Sequence, residues 1–333
     1  MSEVSENSSL FFPGTTLQKA WDSTSLGLAK ECLRKYYYTI IEGWRSKGES
    51  VHLIFGIHFH KALEIYDLHR AQGADYETGL DEAVRYCLEA TWVRAERVQG
   101  SDTQLSTGME EPEDEQVGTP WTPDHPAKTR SNLIRSVIWY LETYREDQVS
   151  TIILASGKPA VELSFRFDSG IPSPGPDNYL LCGHMDRVVD YGGDQFVMDR
   201  KTTGSSPGAY FFKGFSPDNQ MTLYTLASRV IYNAPVKGVI IDAAQIAVGF
   251  TSFARGFTLR TSDQIEEWQE DLRTWLTIIE NAAATGAYPM NEKSCGNYGG
   301  CVFREVCSQQ RNVREFYLKT NFEKRFWNPL EVR

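Results

Sequence analysis

The chain of 333 residues lacks several things, and each shortage narrows what it can be. It has no apolar run long enough to span a bilayer. Its opening, MSEVSENSSLFFPGTT, has neither the basic start nor the apolar stretch of an export leader, so a cytoplasmic protein with no membrane partner is expected. Positive charge is also short: 34 Lys and Arg face 44 Asp and Glu, for a net charge of −10. That balance argues against a general polyanion-binding surface and requires a local basic patch if the partner is nucleic acid. Much of the acid surplus sits in GMEEPEDEQVG (108–118), which reads as a solvated loop. Cysteine is scarce, with six in the whole chain, and in a long sequence without a secretory leader the expected use is metal or cluster ligation before disulfides. There are no internal repeats, and no feature sets an oligomeric state.

What is present suffices for a large core, since 41% of the residues are hydrophobic. After an N-terminal arm (1–24), apolar residues at three-to-four spacing predict helices from Ser25 through LGLAKECLRKYYYTIIEGW, over 56–71, over 79–97 and in SNLIRSVIWYLETYRED. Residues 99–130 read as an insertion or linker. The period then changes to 2, predicting strands at 159–167, 179–191 and 195–202, the last two joined at Gly192-Gly193. Ser216 as N-cap and Pro217 at the first helical position predict a helix in NQMTLYTLASRVIY, followed by strands in VKGVIIDAAQIAV and GFTLR and a helix over 262–285. Strands, a crossover helix and another strand make an α/β sheet layered with helices. The expected divisions are the arm, a helical block (25–150), a sheet-bearing core (151–260) and a C-terminal helix with a cysteine-rich tail (261–333).

The core holds the most pointed local pattern, GHMDRVVDYGGDQFVMDRKTT (183–203). On a strand, residues two apart share a face, so Asp199 and Lys201 project together while Arg200 points away. A carboxylate beside an ammonium can hold a hard divalent cation while the lysine positions a water and offsets charge on a reacting phosphate. The same pair also occurs as an ordinary surface ion pair of little energetic consequence. Asp186, across the hairpin, supplies a second carboxylate if the register brings the strands side by side. On the helix at 56–71, His60, Glu64 and Asp67 share a face, whereas His58 lies about 200° round the wheel and reads as a packing or surface residue. Glu64 reads as a residue that orients His60 or a structural carboxylate ahead of a direct ligand, and Glu162 in AVELSF as an acid that could approach from a neighbouring strand. His184 and Asp190 read as structural.

The order Asp186, Asp199-x-Lys201, Gln220-x-x-x-Tyr224, preceded by Gly56-x-x-x-His60-x-x-x-Glu64, resembles the RecB-like branch of the PD-(D/E)XK nucleases. With one cysteine before and three after, it is most similar to the iron-sulfur exonucleases of that branch, including phage-encoded ones. Met185 stands where the family's name has Pro. The resemblance implies a restriction-endonuclease-like mixed sheet flanked by helices. It further implies that Asp186 and Asp199 are metal ligands joined by the Arg200 backbone carbonyl, that His60 caps the metal, that Lys201 is the catalytic lysine, and that Gln220 and Tyr224 line the DNA side. The implied reaction is hydrolysis of a phosphodiester assisted by Mg²⁺ or Mn²⁺, with the imidazole tilting preference towards Mn²⁺. One metal or two is left open. Phage-borne relatives imply host cytoplasm and recombination or replication proteins as partners.

The tail reads C-x5-C-x5-C at Cys295, Cys301 and Cys307, which is not a zinc-finger spacing. The nearest family pattern is C-x2-C-x5-C, so the first interval is three residues longer here. With Cys32 as fourth ligand, the resemblance implies a [4Fe-4S] cluster, with zinc on the same four thiols or no ligation as alternatives. Cys87 and Cys182, inside apolar segments, read as core residues. RKYYY (34–38), TTGSSPGAYFFKGF (202–215) and RNVREFYLKTNFEKRFW (311–327) mix cations with aromatics, a pairing that suits single strands. The expectation is a DNA exonuclease acting on duplex ends or single strands. The alternatives are a noncatalytic DNA-end or partner-binding module and an endonuclease or flap nuclease.

Overall fold

The side-chain period changes near residue 150, and the structure changes from mostly helix to mostly strand at the same place. The computed structural model describes residues 10–48, 50–94, 118–232 and 236–331. A two-residue strand β1 (Ala20–Trp21) leads into α1 (Ser23–Glu31). Asp22 caps that helix by accepting from the Thr24 and Ser25 amides, and the Ser25 hydroxyl accepts the Asp22 amide in return. The chain continues through α2 (Leu33–Tyr36), a π-turn at Tyr37–Ile41, β2 (Trp44–Ser46), α3 (Val51–Ala71) and α4 (Tyr76–Ala90). It then forms β3 (Trp92–Arg94), β4 (Gly118–Pro120) and α5 (Arg130–Thr143). The helix expected to reach residue 97 stops at Ala90 because Trp92 and Val93 pair with Pro120 and Thr119 of β4. Residues 1–9 of the arm and 108–117 of the acidic run lie outside the described residues; the rest of the arm packs Phe12, Leu17 and Trp21 into the core.

Next come β5 (Val149–Thr151), β6 (Val161–Pro172), β7 (Asn178–Tyr191) and β8 (Asp194–Thr203). After them lie α6 (Ala209–Lys213), α7 (Asn219–Tyr232), β9 (Gly238–Ile246) and β10 (Thr251–Leu259). The chain ends through α8 (Ser262–Thr285), α9 (Arg304–Ser308), α10 (Arg314–Asn321) and β11 (Phe322–Lys324). The main sheet runs β1-β7-β8-β9-β10, with β5 and β6 also on β7. β7 and β8 are antiparallel about Gly192-Gly193, whose φ of 64° and 86° meet the demand of a two-residue hairpin for left-handed backbone. β8 and β9 are parallel, with α7 in the crossover between them, and β10 returns antiparallel. This is the expected mixed sheet flanked by helices, consistent with a restriction-endonuclease-like fold.

The cap of α7 differs from expectation. Asp218, not Ser216, accepts the Met221 amide at 2.9 Å, and Pro217 lies before the helix. Apolar side chains of α1, α7 and α8, among them Leu26, Met221 and Leu272, pack with Val188 and Val197 of the sheet. Those of α3, α4 and α5, among them Phe55, Phe59 and Leu133, pack with Ala244 and Ile246 of β9. Each such large side chain contributes about 1.5–3 kcal/mol. Cys87 and Cys182 are fully buried as expected, and burial pushes the Cys87 thiol up to about 12. At the tail, Phe303, Leu318 and Phe322 pack against Tyr38 and Trp44, and β11 pairs with β2.

Candidate active site

The β7–β8 ladder runs from Tyr191 and Asp194 to Arg187 and Met198. One step further, Asp186 faces Asp199, and the Asp186 carboxylate receives the Arg200 amide at 2.8 Å. The two expected acids are thereby brought together by register alone. Asp199 is only 2% exposed, and Lys201 stands with Nζ 2.7 Å from its Oδ2. At that distance the ammonium is a charged partner for the buried carboxylate. The lysine also donates to Gln220 Oε1 at 2.9 Å, and Gln220 donates to the Tyr224 hydroxyl at 3.0 Å. His60 of α3 reaches the site from the helical side, with Nδ1 3.5 Å from Asp186 Oδ2.

Electrostatics follow from this crowding. Burial pushes the Asp199 carboxyl up to about 6; Lys201 pulls it back and Asp186 adds to the rise. Burial disfavours the Lys201 charge, but Asp199 and Asp186 outweigh it and hold the ammonium above its ordinary pKa. Burial lowers His60, opposed by Asp186 and assisted by Lys201 and Arg200. Burial thus favours the neutral ring, and which ring nitrogen carries the proton is set by what each one faces.

Supporting residues explain the local sequence. Gly183 is the direct cross-strand partner of Phe165, and a Cβ there would stand 2.9 Å from the Phe165 ring. The ring lies over that glycine and meets Tyr224 edge-on at 6.1 Å, behind the lysine relay. Tyr224 is 6% exposed, so its hydroxyl props Gln220 from behind. Glu162 lies between the pairs Val161–Arg187 and Leu163–Met185, which puts it across from Asp186. Among the described residues it is the one non-glycine residue with positive φ, at 48°, a strained backbone beside the acids. Glu64 does not contact His60 in the structure but takes the Lys61 ammonium at 2.6 Å. His58 binds the Tyr86 hydroxyl through Nδ1, His184 binds Ser164, and Asp190 accepts the Gly193 amide in the hairpin.

Sequence reasoning missed the partners of Asp67. Its carboxylate lies 2.6 Å from Arg200 Nη2 and 3.0 Å from Arg187 Nη1, tying α3 to both strands. The only signal available was its place on the His60 face of the helix.

The four other cysteines come from the α1–α2 junction and the tail into one neighbourhood. Cys301 senses Cys295 and Cys32, Cys307 senses Cys301 and Cys32, and the Asn291 amide lies 3.4 Å from Cys32 Sγ. Among the described residues, no three His, Cys, Asp or Glu side chains stand in an arrangement that could already hold a metal ion, here or at the acids. The donor set at the acids nonetheless fits a hard divalent cation. It offers two carboxylates and an imidazole, with the Lys201 ammonium beside them to offset their charge.

Residues 22–308 match the PD-(D/E)XK nuclease superfamily. No curated protein matches the chain. Among solved structures, the chain is similar to a presumed exonuclease from Eubacterium rectale, at 12% identity and a TM-score of 0.46 over 84% of this chain and 86% of that one. It is also similar to a protein named SSO0001, at 15% identity and a TM-score of 0.28 over 54% of this chain and 74% of that one. The family match spans both acids, the lysine and the histidine, and on it the chain belongs to the PD-(D/E)XK nuclease superfamily.

Proposed function

We propose that the chain is a divalent-metal-dependent DNA exonuclease of the RecB-like kind, acting at duplex ends or on single strands. One observation carries this reading: two acids from adjacent strands, a lysine two residues after the second, and an imidazole from a separate helix meet at one point. Asp186, Asp199, His60 and the Arg200 carbonyl are the proposed ligands of Mg²⁺ or Mn²⁺. A cation held there would polarise a nonbridging phosphate oxygen and acidify a water. Lys201, kept charged by its two carboxylates and oriented by Gln220, places positive charge where the phosphate gains negative charge. Tyr210 in α6, 93% exposed just after β8, offers a base a surface on which to stack.

Cys32, Cys295, Cys301 and Cys307 are the proposed ligands of a structural [4Fe-4S] cluster; their convergence supports this. Phage origin and recombination or replication partners rest on the sequence resemblance. The experiment compares end-labelled linear and circular DNA with Mn²⁺ or Mg²⁺. Linear DNA should be degraded from its ends, and Asp199→Ala or Lys201→Ala should lose about 100-fold or more. Cutting of circles would make the chain an endonuclease, and DNA binding without cleavage a binding module. Full cleavage by both variants refutes the assignment.

A further inference from the structure

Lys128 is 4% exposed, and no carboxylate among the described residues is its partner. Its ammonium lies 4.6 Å from the centroid of the Phe55 ring, and burial holds its pKa below the ordinary value. A buried charge of this kind is costly unless something of opposite sign reaches it.

The surroundings are built of donors. His125 Nδ1 accepts the amides of Ala127 and Lys128, each at 3.1 Å. A ring nitrogen that accepts carries no proton, so the His125 ring holds its proton on Nε2, as a donor directed away from that loop. The His52 ring stands 4.7 Å from His125 at 75°. His52 is the second residue of α3, whose N-cap Ser50 makes no side-chain cap bond and whose first turn holds no acid. The free amides and dipole of that turn favour an anion.

This cluster lies on a line with the acids. His52, Gly56 and His60 recur every four residues and form one stripe of α3. Gly56, midway, has its open side towards Thr202 at the end of β8, where a Cβ would meet Oγ1 at 3.5 Å. Eight helical residues separate the two histidines by about 12 Å.

Resting on the nuclease reading, we propose that Lys128, His125, His52 and the first turn of α3 form a subsite for one backbone phosphate of the DNA strand being cut. That phosphate lies about two to four positions from the one hydrolysed, depending on how far the strand is extended. The subsite sets the register of the strand along α3, and its contact to phosphate makes it indifferent to base sequence.

The test measures binding of a short single-stranded oligonucleotide to the full chain with Ca²⁺ present, over a series of salt concentrations. Lys128→Gln should weaken binding equally across sequences and reduce the slope of log affinity against log salt by about 0.7, the share of one phosphate on a single strand. His52→Ala, a change to an exposed side chain that leaves the buried lysine in place, should also weaken binding, and it is the readout if Lys128→Gln does not fold. A scan replacing single phosphates with uncharged methylphosphonate should find one sensitive position in that window for the unaltered chain and none for Lys128→Gln. Unchanged slopes in both variants, or a flat scan in the unaltered chain, would overturn the subsite. Cleavage is read separately. A chain that binds with this signature and never cuts DNA keeps the subsite and loses the nuclease, whereas a chain that cuts while its variants bind normally loses the subsite alone.

Discussion

Asp199 is held under two opposing demands. Burial asks its carboxyl to be neutral, while the proposed chemistry asks it to be charged beside Lys201. The compromise is a carboxyl raised from 3.8 to about 6. In protein stripped of divalent ions, the folded state therefore binds a proton that the unfolded state has already released. The resulting stabilisation is complete below pH about 4 and is lost as pH rises through about 6, with a size on the order of 3 kcal/mol. Asp199→Asn, which cannot titrate, should remove this dependence. The difference in unfolding free energy between the two proteins, measured in urea with chelator at pH 4 and pH 7, should change by about that amount; a constant difference refutes it. A cation competes with the same proton, so Mn²⁺ affinity should fall as pH drops below 6. The pairing of Asp199 with Lys201 was legible because a strand alternates faces. The raised pKa was not, because it depends on what packs round the pair.

Element by element, the critical joint is between α3 and the sheet. His60 reaches Asp186 only if the helix keeps its place, and Asp67, two turns on, holds that place by bridging Arg187 of β7 and Arg200 of β8. Asp67 and Arg200 are each 3% exposed. Asp67→Ala would remove the carboxylate that both buried guanidiniums contact and should cost about 3–5 kcal/mol. Glu64→Ala, three residues away on the same helix, loses an ion pair with the half-exposed Lys61 and no buried guanidinium, and should cost less, about 1 kcal/mol. Denaturant titration of the two variants separates them, and equal losses would show that Asp67 does not carry the joint. Most elements were legible: α7 and α8 fall where their apolar period and turn residues put them, and the β7–β8 hairpin where Gly192-Gly193 does. Among those missed, β1 at two residues and the β2–β11 pair are too short to show a period, and the partners of the pair lie far apart in the chain. The end of α4 was misread because Trp92 and Val93 continue the apolar pattern while their hydrogen bonds go to a strand.

At the scale of the whole molecule, the two ends of the chain close on each other beside the sheet. The Arg34 amide donates to Pro289, Trp327 donates to Asp22 at 3.2 Å, and the Tyr38 ring meets Phe303 at 5.2 Å. A cluster on Cys32 and the three tail cysteines would add a covalent closure over roughly 260 residues, worth on the order of 5 kcal/mol in a chain-entropy treatment. Because β11 still pairs with β2 and the aromatic packing remains, its loss should loosen the tail before it unfolds the sheet. Cys301→Ser should therefore lose iron and sulfide, bleach the brown colour, and expose residues 292–324 to protease, while amide exchange in β7, β8 and β9 stays slow. The unaltered protein should carry four irons per chain. Zinc without iron in that protein would make the closure a zinc site. A tail equally resistant in both proteins would mean that side-chain packing, with no metal at all, holds the ends together.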